Sequence, residues 1–172
     1  MIADSYSGFL PRMFEWVQNT LEAHKHDRRS VESFGFRRLP VYFTKTLLAE
    51  TSVVIVDRPP FPPVSAWGLS EFATFEAHPA GAITFLDTYF ITPRAAANES
   101  VHFHELIHVI QWQELGFTDF MMLYVAGILE HGYLDAPLEK MAYEHERRFE
   151  LGGMEYAVAE AVRREATALL RA

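Results

Sequence analysis

Apolar residues recur along this chain with two different periods, and the change of period separates a mixed first half from a helical second half. Leu10, Met13, Phe14, Val17 and Leu21 fall three or four residues apart, the spacing that lines one face of a helix. With Pro11 near the start and the polar run from His24 to Arg29 at the end, the pattern predicts a helix over residues 10 to 25. Val41-Tyr42-Phe43-Thr44 and Ser52-Val53-Val54-Ile55-Val56 are short β-branched and aromatic runs, and both are expected as strands. Pro59-Pro60-Phe61-Pro62-Pro63 lacks ladder donors and is expected as an extended surface loop. Phe72 to Phe75 is a further candidate strand. Gly81 opens a segment running to Ile91 that is expected as one strand or as a hairpin.

Beyond Thr92-Pro93 the period becomes helical. Thr92 followed by Pro93, or Asn98 followed by Glu99, supplies the cap of a helix that runs to about Leu115, with Gly116 as its stop. Phe117 to about Glu130 predicts a second apolar helix, broken by Gly132-Tyr133. Asp135 and Pro137 begin a third, ending at Gly152-Gly153. Met154 to Leu170 forms a fourth, with Met154, Val158, Ala161 and Leu169 on one stripe. Helix, strands, then helices is an α+β plan. No internal repeat interrupts the 172 residues, so a single domain over residues 1–172 is expected.

The chemistry concentrates in His104-Glu105-Leu106-Ile107-His108, which has the form H-E-x-x-H. Residues four apart share a helix face, so the two imidazoles can converge on one ion, with Glu105 beside it as a general base. The flanking residues from Val101 to Trp112 are apolar on nearly every side, which places this helix in the interior. Buried polar groups need partners, and a metal ion would satisfy several at once. The bland reading is a pair of hydrogen-bonded core histidines.

Composition narrows the choice. There is no cysteine, so a disulfide framework, cysteine-ligated zinc and a thiol nucleophile are all excluded. Any metal site must use histidine and carboxylate. A formal charge of -8 argues against nucleic acid as a partner. The 14 phenylalanines among 49% hydrophobic residues exclude a disordered chain. Met1 to Tyr6 shows no signal-peptide pattern, and no run is long enough to span a bilayer. A cytoplasmic protein is the expectation.

A His₂ site needs a third protein ligand and an open position for water. Glu114, Asp119 and Glu130 are in range, but the third helix can fold back better. Its apolar stripe is Leu138, Met141, Ala142, His145 and Phe149. Glu139 borders that stripe, whereas Glu144 sits among cationic neighbours on the solvated side. Glu139 is therefore the expected ligand, with Glu146, seven residues on, as second choice. Tyr143, one turn after Glu139, is the candidate donor to an oxyanion; Tyr133 and His131 are alternatives. Gln111 and His102 are further polar groups near the motif, although His102 points to another side of the helix. His78, His131 and His145 form no second site by spacing, and His145 is expected in the core.

His104-Glu105-x-x-His108 with a downstream glutamate resembles the gluzincin zinc metallopeptidases. The longer pattern His104-Glu105-Leu106-Ile107-His108-Val109-Ile110-Gln111, then Gly132-Tyr133, then Pro137-Leu138-Glu139-Lys140-Met141-Ala142 is similar to a family of small, sparsely characterised bacterial metallopeptidase domains. The likeness covers roughly residues 80 to 145. It implies a zincin-like fold, in which a small mixed sheet packs on the active-site helix and a helical part follows. It also implies Zn²⁺ on His104, His108 and Glu139, with Glu105 as the base acting on a peptide or protein substrate. Met141 stands where that family often has a second glutamate. Tyr143 stands where larger gluzincins carry an aspartate supporting a ligand histidine. The alternative function is a metal-binding domain without catalysis, structural or partner-binding.

Overall fold

The computed structural model describes residues 7–77, 81–153 and 155–171. The Met1–Tyr6 segment, His78 and Met154 fall outside the described residues. Helix α1 (Leu10–Ala23) buries Met13, Val17 and Leu21, as its periodicity requires. Four short strands, β1 (Arg29–Ser30), β2 (Ser52–Ile55), β3 (Ala82–Phe85) and β4 (Thr88–Ile91), make one mixed sheet in the order β1-β2-β4-β3. β2 runs parallel to β4, and the other two pairs are antiparallel. All of β4 is buried, as befits a strand covered on both faces.

Residues 81 to 91 take the hairpin form of the expectation. β3 and β4 are joined through Leu86 and Asp87, with Phe85 opposite Thr88. Leu86 adopts φ 57, the left-handed backbone that tight hairpin turns demand.

Two expected strands are helical instead. Residues 39–50 form two short helices, α2 (Leu39–Tyr42) and α3 (Lys45–Glu50). Pro40 opens the first with its preset φ. The Thr44 hydroxyl accepts from the Leu47 N–H at 3.2 Å and caps the second. Punctuation by Pro40 and Thr44 thus overrides the strand propensity of the residues between them. Phe72 ends a short 3₁₀ turn, Ser70–Phe72, that leads into α4 (Ala73–Ala77). β1 begins at Arg29, the last residue of the polar run expected only to end the first helix, and its two residues pair with Ser52 and Val53 of β2.

Both helix caps proposed at the start of the second half are used, one after the other. Thr92 caps α5 (Pro93–Ala96), and Asn98 caps α6 (Glu99–His131), its Oδ1 accepting from Ser100 N–H at 3.0 Å. α6 leaves helical backbone at Gly116, where φ is 70 and ψ 177. The stop at that residue was expected. Trp112 and Phe120 stack across the break with centroids 3.7 Å apart. α7 (Pro137–Glu150) and α8 (Val158–Leu169) pack on α6 and complete a helical C-terminal part. The molecule is thus α+β, a small mixed sheet followed by helices. Its buried apolar residues form one contiguous core from Phe9 to Ala166. No helix among the described residues is long and apolar enough to cross a membrane.

Candidate metal centre

The first arm of α6 is buried continuously from His102 to Trp112. One turn apart on it, His104 and His108 bring their Nε2 atoms to 3.0 Å. α7 delivers Glu139 from its first turn, with Oε2 3.5 Å from His104 Nε2 and 3.6 Å from His108 Nε2. Zinc bound tetrahedrally at about 2.0–2.1 Å separates its ligand atoms by roughly 3.3–3.4 Å. The three edges of this triangle bracket that distance. All three residues are buried. The approach of α7 depends on Gly127. A Cβ there would lie 2.8 Å from Pro137 Cδ, so only glycine lets the start of α7 rest directly on α6.

The surrounding hydrogen bonds fix the tautomers. Gln111 Nε2 donates to Leu138 O at 3.0 Å and to Met141 Sδ at 3.3 Å, which turns Gln111 Oε1 towards His108 Nδ1 at 2.8 Å. Glu146 Oε2 lies 3.0 Å from His104 Nδ1. Both Nδ1 atoms therefore carry protons, so in the neutral rings both Nε2 atoms present lone pairs to each other. Glu139 Oε2 is buried with no hydrogen-bond partner. Three acceptor atoms converge with no donor between them, an arrangement that calls for a cation or a proton.

The electrostatics express the same need. Burial opposes charge on His104, but the Glu139 and Glu146 carboxylates beside it raise its pKa to about 10. Burial also opposes ionisation of Glu139, yet His108 and His104 hold it well below the usual carboxylate range. A cluster with this donor set could hold a metal ion in place of that proton.

Glu105 is buried one residue after His104. Thr84 Oγ1 on β3 donates to Glu105 Oε2 at 2.6 Å. Burial raises the Glu105 pKa, opposed by His104 and His108. The Tyr143 ring leans on His104 at a centroid distance of 4.6 Å and is 39% exposed. Tyr133 is partly buried, and its phenol is raised by burial and by the nearby Glu139 and Tyr143. His131 is exposed, 3.9 Å from Glu130, and does not line the cavity that opens onto Glu139. Glu146, second choice as a ligand, stands on the far nitrogen of His104, outside the triangle. Glu144 is exposed, as expected.

Tyr124 was missed. Its hydroxyl donates to Glu139 Oε1 at 2.7 Å, leaving Oε2 to face the histidines. The sequence signal for it was only a lone hydroxyl on an apolar helix beyond Gly116.

A cavity of about 290 Å³ opens onto Glu105, His108 and Glu139. Among the described residues, the other buried histidines are satisfied within the protein. His102 lies between Tyr89 OH, 2.5 Å from Nδ1, and Ala96 O, 3.0 Å from Nε2. His145 lies between Tyr156 OH at 2.6 Å and Glu165 Oε2 at 3.1 Å.

No protein-family model matches the chain, and no curated protein or solved structure matches it significantly.

Proposed function

We propose that this chain is a zinc-dependent hydrolase with a zincin-like arrangement, acting on a peptide bond. The observation that carries the reading is the triangle of His104 Nε2, His108 Nε2 and Glu139 Oε2, with edges of 3.0, 3.5 and 3.6 Å. Bound there, zinc would supply Lewis acidity and bring the pKa of water towards about 7. Gln111 and Glu146 orient the two imidazoles by holding their Nδ1 protons. Tyr124 keeps Glu139 turned to offer a single oxygen.

Glu105 is the general base. Thr84 holds its Oε2, which leaves Oε1 to take the proton of the attacking water and return it to the leaving amine. Burial favours the neutral acid and so strengthens the carboxylate as a base. Tyr143 beside His104 and Tyr133 lining the cavity flank the place where an oxyanion would develop. Burial and then Glu139 raise both phenols, so both remain donors at neutral pH.

The peptide is supported by β3. The two-residue turn makes Phe85 and Thr88 a hydrogen-bonded pair, so Ala82 and Thr84 turn their backbone groups away from β4. Trp112 Nε1 takes the Thr84 carbonyl at 3.2 Å. The Ala82 edge lies along the cavity, where an extended peptide can pair by strand addition.

Elemental analysis of the wild type and Glu139→Ala tests the reading. About one zinc per chain, lost or weakened in the variant, is expected. Equal zinc in both would overturn the ligand set.

A further inference from the structure

The cavity beside the triangle is far more apolar than peptide chemistry at its mouth requires. Its polar groups, Thr84, Glu105, His108, Glu139, Tyr124 and Tyr133, are those of the proposed centre and its supports. The rest of the wall is apolar and comes from widely separated segments. Phe9 and Met13 come from the N-terminal part, Phe61 and Pro62 from the proline-rich stretch, and Phe120 and Met121 from the second arm of α6. The proline-rich stretch thereby acquires a role that its sequence did not suggest. Proline fixes φ, so this wall is formed before a ligand arrives and costs little ordering on binding.

From these observations we infer that the cavity receives a bulky apolar group of about ten heavy atoms, aromatic or medium-chain aliphatic, carried next to the bond that is hydrolysed. The inference rests on the hydrolase reading above. Size follows from volume. At the roughly 30 Å³ that a water-sized group occupies in a liquid, a cavity of about 290 Å³ holds about ten such groups. Chemistry follows from the wall. A charged or strongly polar group would lose its hydration there and find no partner away from the centre. An apolar group is anchored by burial alone. The polar side chains of the wall gather around Glu105 and Glu139, with Thr84 bonded to the first and Tyr124 to the second, and this orients the ligand so that its polar end meets Glu105.

Titration calorimetry with ligands that share one chelating head tests the inference. Zinc-loaded protein is titrated with acetohydroxamate, phenylalanine hydroxamate and decanohydroxamate. Zinc-free protein is titrated with naphthalene, which has no metal-binding group, by following tryptophan fluorescence. The expected result is naphthalene binding together with a gain of at least about 100-fold for one or both long hydroxamates over acetohydroxamate. The larger gain identifies the source of the group: a peptide's aromatic residue for the phenylalanine compound, an acyl chain for the decanoyl one. Met121→Trp, checked for unchanged zinc content, should abolish the gain by filling the cavity. If all hydroxamates bind equally and naphthalene does not bind, the apolar pocket is overturned while the metal reading stands. If naphthalene binds but no hydroxamate does, the pocket exists and its link to a hydrolytic centre is overturned.

Discussion

His102 and His104 stand two residues apart on the same arm of α6, both buried, and they are held in opposite ways. The Ala96 carbonyl can only accept, so His102 Nε2 donates to it and Nδ1 accepts from the Tyr89 hydroxyl. Phe34 and Phe36 lie against the ring, and burial lowers its pKa. Every polar atom of that imidazole is used inside the protein. His104 and His108 use one nitrogen each, through Glu146 and Gln111, and aim the other at each other and at Glu139. Burial and helix position therefore do not mark a candidate ligand. The mark is a lone pair left over after the internal hydrogen bonds are made, pointing at other lone pairs.

The comparison can be broken, and the largest effect belongs to the group beside the triangle. Glu105→Gln should keep zinc and lower hydrolysis by about 10²–10⁴-fold, measured on a fluorogenic peptide substrate alongside zinc content. Unchanged turnover would remove Glu105 from the chemistry.

The two kinds of histidine come next. His108→Ala should weaken zinc by more than about 100-fold, since groups that only orient a ligand are already worth 10–100-fold. His102→Ala should leave zinc affinity near the wild type. It should instead cost about 2–4 kcal/mol of stability, from the unpaired Tyr89 hydroxyl and the cavity left behind. Competition with a chelating dye and urea denaturation of the zinc-free chain measure the two quantities. Equal losses of zinc in both variants would erase the distinction. The smallest effect sharpens it: Gln111→Ala should weaken zinc by about 10–100-fold while leaving the ligand atoms in place.

The motif helix was legible because its signals are local. The H-E-x-x-H spacing, the caps at Thr92 and Asn98, the break at Gly116 and Pro137 at the head of α7 all act within a few residues. The face of α7 that carries Glu139 was equally readable from its apolar stripe. What escaped depends on contacts between distant segments. Glu146 lies near the same face as Glu139, and spacing alone cannot tell which nitrogen of His104 it meets. Tyr124 reaches Glu139 only because of the direction that α6 takes after Gly116. The Val41–Thr44 segment carried strand-forming residues, and the flanking proline and threonine decided otherwise. β1, at two residues, is too short to show any period. The cavity could not be anticipated, since its walls are brought together from separate parts of the chain.

Gly127 gives these contacts a common measure. The start of α7 rests against α6 at a point where a side chain is absent, and Glu139 follows two residues after Pro137. The gap between the carboxylate and the imidazoles is therefore gauged by the thickness of bare backbone. A methyl group at that position would wedge the helices apart and widen a space suited to bonds of about 2.0–2.1 Å. The spacing of the triangle is thus set by a residue that contributes no functional group, a shim between the two helices.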